Sequence, residues 1–139
     1  GAEECIAVVT YVDQNSHKAF IVYGKEKRVV QKFRFKVHTG KTLKLYYITD
    51  NEGRMKVLNS TTIHLPSDLD YAKFVEGNID KREDKEFAFL KSGSISCFVS
   101  PNIVRKYGLK NGDKVKSLIV YDYDKKKEAW NWVCVNVKK

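Results

Sequence analysis

The sequence predicts an all-β protein made of two small five-stranded Greek-key barrels in tandem. Two observations lead to this fold class: strand-forming residues dominate the chain throughout, and the order of its elements is repeated. The chain has 139 residues, which is enough for one ordinary domain or for two of about 70 residues each. A large enzyme fold is excluded by this length.

Eight segments rich in β-branched and aromatic residues are predicted to be strands. They are Ile6–Val12, Lys18–Tyr23, Lys41–Thr49, Arg54–Asn59, Glu86–Leu90, Ser96–Val99, Val115–Tyr123 and Trp130–Val137. In the third of them, Leu43, Leu45 and Tyr47 recur at a spacing of two, which is typical of a strand with one inward face. No long helical pattern competes, so helix is expected only in short turns.

The element order from Cys5 to Ile63 recurs from Tyr71 to Val137. The aligned segments are Lys18–Val22 with Glu86–Leu90, Thr39–Leu43 with Asn111–Val115, and Met55–Thr61 with Trp130–Asn136. Leu65–Asp68 is interpreted as a linker, because Pro and Ser interrupt the strand pattern there. Two modules follow, residues 1–68 and 69–139. Each suits a small closed OB-like barrel, since closure removes exposed strand edges; a single mixed β-sandwich is the alternative.

Charge and cysteine usage narrow the class of partner. Lys and Arg number 26 against 17 Asp and Glu, and the resulting net charge of +9 attracts polyanions such as nucleic acid. No apolar run of membrane-spanning length is present, so no membrane partner is expected. Cys5, Cys97 and Cys134 are odd in number and lack CxxC spacing, which argues against a disulfide framework and a zinc cage. A reducing, cytoplasmic location is favoured.

The chain begins at Gly1 without an initiator Met or the pattern of a signal peptide. Gly1 is therefore interpreted as an expression remnant, and the natural protein is expected to extend further at its N-terminus. Other domains of a longer parent chain then become candidate partners.

Three phenylalanines in the second module form the candidate binding surface. Phe87 and Phe89 lie two apart on one predicted strand and share a face, and Phe98 lies on the next strand. The residues that alternate with them are Ala88, Leu90, Cys97 and Val99. If these fill the barrel, the three rings stand outside, where bases stack at roughly 1 to 3 kcal/mol per base. The alternation leaves the opposite orientation open, with the rings in the core.

Four basic residues near these rings are placed to bind phosphates. They are Lys85, Lys91, Arg105 and Lys106. An exposed aromatic cluster is costly unless it binds something, so cations beside it favour nucleic acid as the ligand.

The same segment resembles the cold-shock domains. Glu86–Ser92, read Glu-Phe-Ala-Phe-Leu-Lys-Ser, is similar to their first ribonucleoprotein motif, and Cys97–Val99 to the second. Val99–Asp113 follows the pattern of the RNA-binding cold-shock domain of transcription termination factor Rho, from Val-Ser-Pro through two basic residues and an aromatic to Gly-Asp. Ser100 stands where cold-shock proteins commonly have His, a departure that the Rho pattern shares.

This resemblance extends from Phe87 to about Val137. It implies an OB-like barrel that binds single-stranded RNA. It also implies stacking roles for the three phenylalanines and contacts to the nucleic-acid backbone for Arg105 and Lys106.

Catalysis, a cofactor and a metal are not expected. Phe35–Thr42 ends in Gly-Lys-Thr like a phosphate loop, but Phe35 occupies the position of the required first glycine and no helix pattern follows. No nucleophile, base and orienting acid can be assembled. Asp122 and Asp124 are interpreted as part of a charged hairpin rather than a cation site. Trp130 and Trp132 are expected to pack in the core.

Two functions fit these observations. The first is a non-catalytic protein that binds single-stranded nucleic acid, RNA more than DNA, mainly through the second module. In the first module, Ala19 and Ile21 align with Phe87 and Phe89, so that module is expected to lack the aromatic platform. The second function is a protein-interaction or scaffolding OB module of a larger protein, in which the rings dock protein instead.

Overall fold

The computed structural model describes residues 1–139 and divides into two units, Gly1–Pro66 and Ser67–Lys139. The first unit ends two residues before the boundary expected from the sequence. Both units are built on β-sheets, and the only helix is one short segment in the second, which confirms the all-β class. No helix has the length and apolar character needed to cross a membrane.

The first unit is a five-stranded antiparallel sheet. Its strands are β1 (Glu3–Asp13), β2 (Lys18–Gly24), β3 (Lys27–Lys32), β4 (Thr42–Thr49) and β5 (Met55–Ile63). They pair in the order β3-β2-β1-β4-β5. Between β3 and β4, Gly40 adopts a positive φ of 89° and donates its N–H to the Val9 carbonyl at 2.7 Å. The Gly-Lys-Thr sequence therefore lies in a turn that enters a strand, as the repeat predicted.

The second unit is a closed five-stranded barrel. Its elements are β6 (Ala72–Asp80), β7 (Ala88–Ser92), β8 (Ile95–Val99), α1 (Pro101–Tyr107), β9 (Lys114–Asp124) and β10 (Ala129–Lys138). The ring order is β10-β8-β7-β6-β9, and the parallel pairing of Val133 with Phe98 joins β10 to β8. Counted from its own first strand, each unit has the same strand order. The sequence predicted a closed barrel for both modules. Backbone hydrogen bonds close the barrel in the second unit, whereas the strands of the first unit form an open sheet.

Two strands, β3 and β6, are missing from the eight predicted segments. The sequence of β3 is Lys-Arg-Val-Val-Gln-Lys, in which only two residues favour strands. The β6 strand contains Gly77 followed by Asn78, both of which are depleted in strands. Tertiary pairing with neighbouring strands overrides these local preferences.

The short helix α1 begins and ends at the residues that the sequence indicates. Ser100 caps it, because the Ile103 N–H donates to Ser100 Oγ at 3.3 Å, and Pro101 takes the first helical position. Gly108 ends it in the left-handed conformation with φ 58°. Buried Val104 packs from the helix into the barrel core. The corresponding segment of the first unit, residues 33–37, forms no helix.

Each unit has its own apolar core. The second is built from the inward side chains of all five strands and of α1, including Ile79, Leu90, Val99, Val115 and Ile119. The first contains Ala7, Val9, Ala19, Ile21, Leu43 and Leu45, together with Phe33 and Val37 from the segment after β3. In chain order these two residues correspond to α1 and Leu109, which contribute to the core of the second unit.

The three thiols are expected to be unreactive while the protein is folded. Burial raises the pKa of Cys5 and of Cys97 from 9.0 to about 11, and it also raises the pKa of Cys134. For Cys5 and Cys97 this rise lowers the reactive thiolate fraction about 100-fold near neutral pH. Titration with an aromatic disulfide reagent near pH 8 should therefore show slow reaction in buffer and three rapid equivalents in guanidinium. Three rapid equivalents without denaturant would contradict the burial of these groups.

Candidate nucleic-acid interface

The rings of Phe87, Phe89 and Phe98 form one cluster on the outer face of β7 and β8. Ring centroids are 5.7 Å apart for Phe87 and Phe89, 5.7 Å for Phe87 and Phe98, and 6.1 Å for Phe89 and Phe98. Phe89 faces Phe98 across the antiparallel ladder, and Phe87 directly precedes β7. The rings are half-buried, because each covers part of its neighbours.

Strand alternation explains why the rings lie outside. Ala88, Leu90, Cys97 and Val99 are at most 1% exposed and fill the barrel. Side chains two residues apart share a face, so the phenylalanines between them point away from the core. Of the two orientations that the sequence left open, the structure has the one that keeps the rings outside.

The planes of the three rings are inclined to one another. Phe89 stands at 84° to Phe87 and at 73° to Phe98, whereas Phe87 and Phe98 are tilted by 36°. Edge-to-face contacts are favourable for aromatic pairs and stabilise the cluster without a ligand. The ring faces left open point in different directions, which suits separate bases rather than one extended stack.

Lys91 places a positive charge beside the cluster. Its Nζ lies 5.2 Å from the centroid of the Phe89 ring and donates a hydrogen bond to Ser96 Oγ at 3.0 Å. The hydrogen bond holds the ammonium on the outer face of the strand pair. Lys85 is exposed and precedes Phe87 by two residues.

The two basic residues of α1 are placed differently. Arg105 Nη2 donates to Asn102 Oδ1 at 2.6 Å, and Nη1 lies 4.0 Å from Glu86 Oε2. Glu86 is the neighbour of Phe87 in the chain, so the guanidinium reaches the start of the ring cluster while partly balanced by a carboxylate. Lys106 instead lies over the ring of Tyr107, 5.4 Å from its centroid.

A pocket of about 400 Å³ opens beside Phe98, between α1 and the β9–β10 hairpin. Its lining includes Pro101, Asp122, Asp124, Lys125, Lys126 and Asn131. Asp124 Oδ1 accepts the backbone N–H groups of Lys126 at 2.9 Å and Lys127 at 3.2 Å, so this carboxylate stabilises the hairpin turn. The charges of two carboxylates and two ammonium groups in the lining cancel. This arrangement agrees with the interpretation of Asp122 and Asp124 as part of a charged hairpin.

Comparison with known families concerns this same unit. Residues 73–137 are similar to the S1/CSD-like domain 2 of the TOTE conflict systems. The second unit is therefore an OB/CSD-like domain. No curated protein and no solved structure gives a significant match. S1/CSD-like domains generally bind single-stranded nucleic acids and are generally binding modules rather than catalysts. The match covers somewhat under half of the chain and includes every predicted site residue.

Asn131 also lines the pocket beside Phe98, and nothing in the sequence indicated this residue as part of the site. It is half-buried, lies opposite Asp122 in the β9–β10 ladder, and precedes by two residues the Val133 that pairs with Phe98. Its position beside the rings depends on the parallel pairing of β8 with β10. A contact between strands so distant in the chain leaves no local signal in the sequence.

The tryptophans of the S1/CSD-like domain are less central to its core than predicted. Trp132 packs against the core, and Lys73 Nζ lies 5.1 Å from its ring centroid. Trp130 is half-buried and instead stacks on Tyr121, with 6.3 Å between ring centroids and 19° between ring planes. The β9–β10 hairpin extends beyond Val120, where the pairing of β9 with β6 ends. This extension explains why Tyr121 and Trp130 are not enclosed by the barrel.

The first unit has two aromatic rings, Tyr11 and Phe20, on the outer face of its sheet. Their position shows that the sequence alignment of Lys18–Val22 with Glu86–Leu90 needs correction. Ala19 and Ile21 are buried in its core, so they correspond to inward residues of the S1/CSD-like domain and not to its phenylalanines. Phe20 is the outward residue of β2, facing Tyr11 on β1 and Val30 on β3. The rings of Tyr11 and Phe20 are 5.7 Å apart. A one-residue slip exchanges the two faces of a strand, and the aligned segments were displaced by one residue.

Proposed function

We propose that this chain is a non-catalytic protein that binds single-stranded nucleic acid, RNA in preference to DNA, with its main site on the S1/CSD-like domain. The supporting observation is the outward cluster of Phe87, Phe89 and Phe98, backed by the ammonium of Lys91. The three adjoining rings are half-buried on the outer face of a basic protein and leave part of their aromatic surface in contact with solvent. Unpaired bases are ligands that use this area, because every base has a π-face.

The proposal assigns a role to each part of the site. The inclined rings of Phe87, Phe89 and Phe98 receive separate bases at roughly 1 to 3 kcal/mol per base. Lys91 and Lys85 neutralise phosphates between those bases. Arg105 does so after exchanging its contact with Glu86 for one with phosphate, which makes its contribution smaller. The pocket beside Phe98 accommodates a base or sugar that lies beyond the three rings.

Tandem organisation is part of the proposal. The identical strand order of the two units supports a duplicated OB-like module, and the designation of the matched family as a second domain is consistent with it. The resemblance of Val99–Asp113 to the Rho cold-shock domain supports RNA over DNA. Three cysteines without disulfide partners support action in the cytoplasm.

A salt-dependent binding measurement tests the phosphate contacts. Log Kd for a short pyrimidine-rich RNA should rise linearly with log salt, because each neutralised phosphate releases a counterion. Lys91→Gln should lower the slope by about 0.7, the value for one contact to a single strand. Lys110→Gln, in the loop after α1, is the matched control and should leave the slope unchanged. Equal slopes for both variants would place the phosphates elsewhere, and no binding at low salt would overturn the proposal.

A further inference from the structure

The first unit has an open seam, which here means the gap between the two edge strands that would have to pair to close its sheet into a barrel. In the second unit, β8 and β10 pair directly and complete the barrel. The equivalent strands of the first unit, β3 and β5, are the two edges of its sheet. One side-chain hydrogen bond spans them, from Gln31 Nε2 to the Met55 carbonyl at 3.0 Å. The outer edge of β5 beyond Met55 therefore has no strand partner, although one backbone donor there, the Ser60 N–H, donates to Asn59 Oδ1 at 2.9 Å.

A groove of about 770 Å³ follows this edge. One wall is the segment from Gln31 to Phe35, and the other is β5 from Met55 to Thr62. Because the segment after β3 forms no helix, the groove is not covered in the way that α1 covers the second barrel.

The chemistry of the groove has three components. Lys32, Arg34 and Lys56 give it positive charge, and no carboxylate belongs to the lining. Phe35 is 47% exposed and Leu58 is 55% exposed, so each wall carries an apolar side chain facing solvent. The third component is the free backbone edge of a nine-residue strand.

We propose that this groove binds an extended acidic segment of a partner protein, which adds as a strand to the edge of β5. Its backbone pairs with β5 at strand spacing, its carboxylates meet Lys32, Arg34 and Lys56, and its apolar side chains rest on Leu58 and Phe35. Such pairing satisfies the backbone groups that the open seam leaves free.

Nucleic acid fits this groove less well than a peptide. Phe33 is buried in the core and contacts Phe35 with 5.1 Å between centroids, so one exposed ring remains for stacking. Leu58 has no π-face for a base, and a sugar-phosphate backbone does not reproduce the alternating donors and acceptors of a strand. The proposal is independent of the RNA site on the second unit.

An NMR titration of the 139-residue chain tests the proposal. The probe is a synthetic peptide that alternates acidic and aliphatic residues, Asp-Val-Glu-Leu-Asp-Val-Glu-Leu. Backbone amide shifts should be confined to β5 and the Phe33–Phe35 segment, and amide exchange along β5 should slow. N-methylation of alternate peptide amides should weaken binding at least about tenfold, and so should replacing the acids by lysine.

Two charge-adding variants sharpen the test. Leu58→Glu puts a negative charge and a polar group into the groove and should weaken binding at least about tenfold. Gln14→Glu adds the same charge in the exposed turn between β1 and β2, away from the groove, and should bind as the unchanged protein does. Phe87→Ala should leave peptide binding intact, which separates this site from the proposed RNA site.

Three results would overturn the proposal. The first is the absence of shifts in β5 at about 1 mM peptide. The second is an equal response to the peptide and to its N-methylated form, which would exclude strand addition. The third is a short RNA that shifts the β5 amides while the peptide does not, which would make the groove part of a nucleic-acid path.

Discussion

Replacing Phe87 and Phe98 together by alanine should weaken RNA binding by at least about 30-fold. Each ring that stacks on a base contributes roughly 1 to 3 kcal/mol, so the loss of two corresponds to 2 kcal/mol or more. Both rings are half-buried on the outer surface while the core beneath them is filled by other side chains, so the variant should remain folded. Fluorescence anisotropy with a labelled pyrimidine-rich RNA gives the affinity, and circular dichroism checks the fold.

Phe74→Ala is the matched control for this experiment. Phe74 is an exposed aromatic on β6 of the same unit, 55% accessible, with Lys116 Nζ 5.7 Å from its ring centroid. It therefore has the same composition as the proposed site, an aromatic with a cation, without neighbouring rings. Its removal should change the RNA affinity by less than about twofold. Equal losses in the two variants would mean that general surface aromaticity, and not the ring cluster, binds RNA.

Gly77→Ala should unfold or strongly destabilise the second unit. A Cβ built on Gly77 overlaps the backbone carbonyl of Lys91 and lies 3.1 Å from Leu90 Cδ1, because Lys91 of β7 pairs with Asn78, the next residue of β6. Backbone cannot yield as a flexible side chain does, so we expect a loss of about 3 kcal/mol, at the upper end for overpacking. Both tryptophans of the chain, Trp130 and Trp132, lie in this unit. Denaturation followed by tryptophan fluorescence therefore reports its stability directly.

Gly93→Ala separates this steric effect from the general cost of replacing glycine. Gly93 has a positive φ of 56°, and a Cβ there meets nothing within 4 Å. Alanine at this position should cost about 1 kcal/mol for the left-handed backbone alone. If Gly77→Ala were no more harmful than Gly93→Ala, the close approach of β6 and β7 would be wrong.

The local features of the fold are the ones that sequence predicts well. Strand alternation gives the face of Phe89 and Phe98 once the core side is known, and α1 follows from Ser100, Pro101 and Gly108. These signals succeed because they act over a few residues. Gly77 shows the limit: its sequence context weakens the prediction of β6, although its small size is what lets two strands approach.

The features that depend on distant pairing are not readable from the sequence. Closure of one barrel and not the other depends on whether β8 meets β10 and whether β3 meets β5. Asn131 and the pocket beside Phe98 follow from the first of these, and the basic groove along β5 follows from the second. The displaced alignment of Phe20 has the same origin, since the register of a strand is set by its neighbours.

Photo-crosslinking tests the central claim most directly. A short RNA that carries 4-thiouridine is bound to the 139-residue chain and irradiated. The complex is then digested, and the crosslinked peptides are identified by mass spectrometry. If bases lie on the ring cluster, the crosslinks should concentrate at Phe87, Phe89 and Phe98 and decline as salt weakens binding. Crosslinks that avoid residues 85–105 while RNA remains bound would show that the rings are not the binding surface.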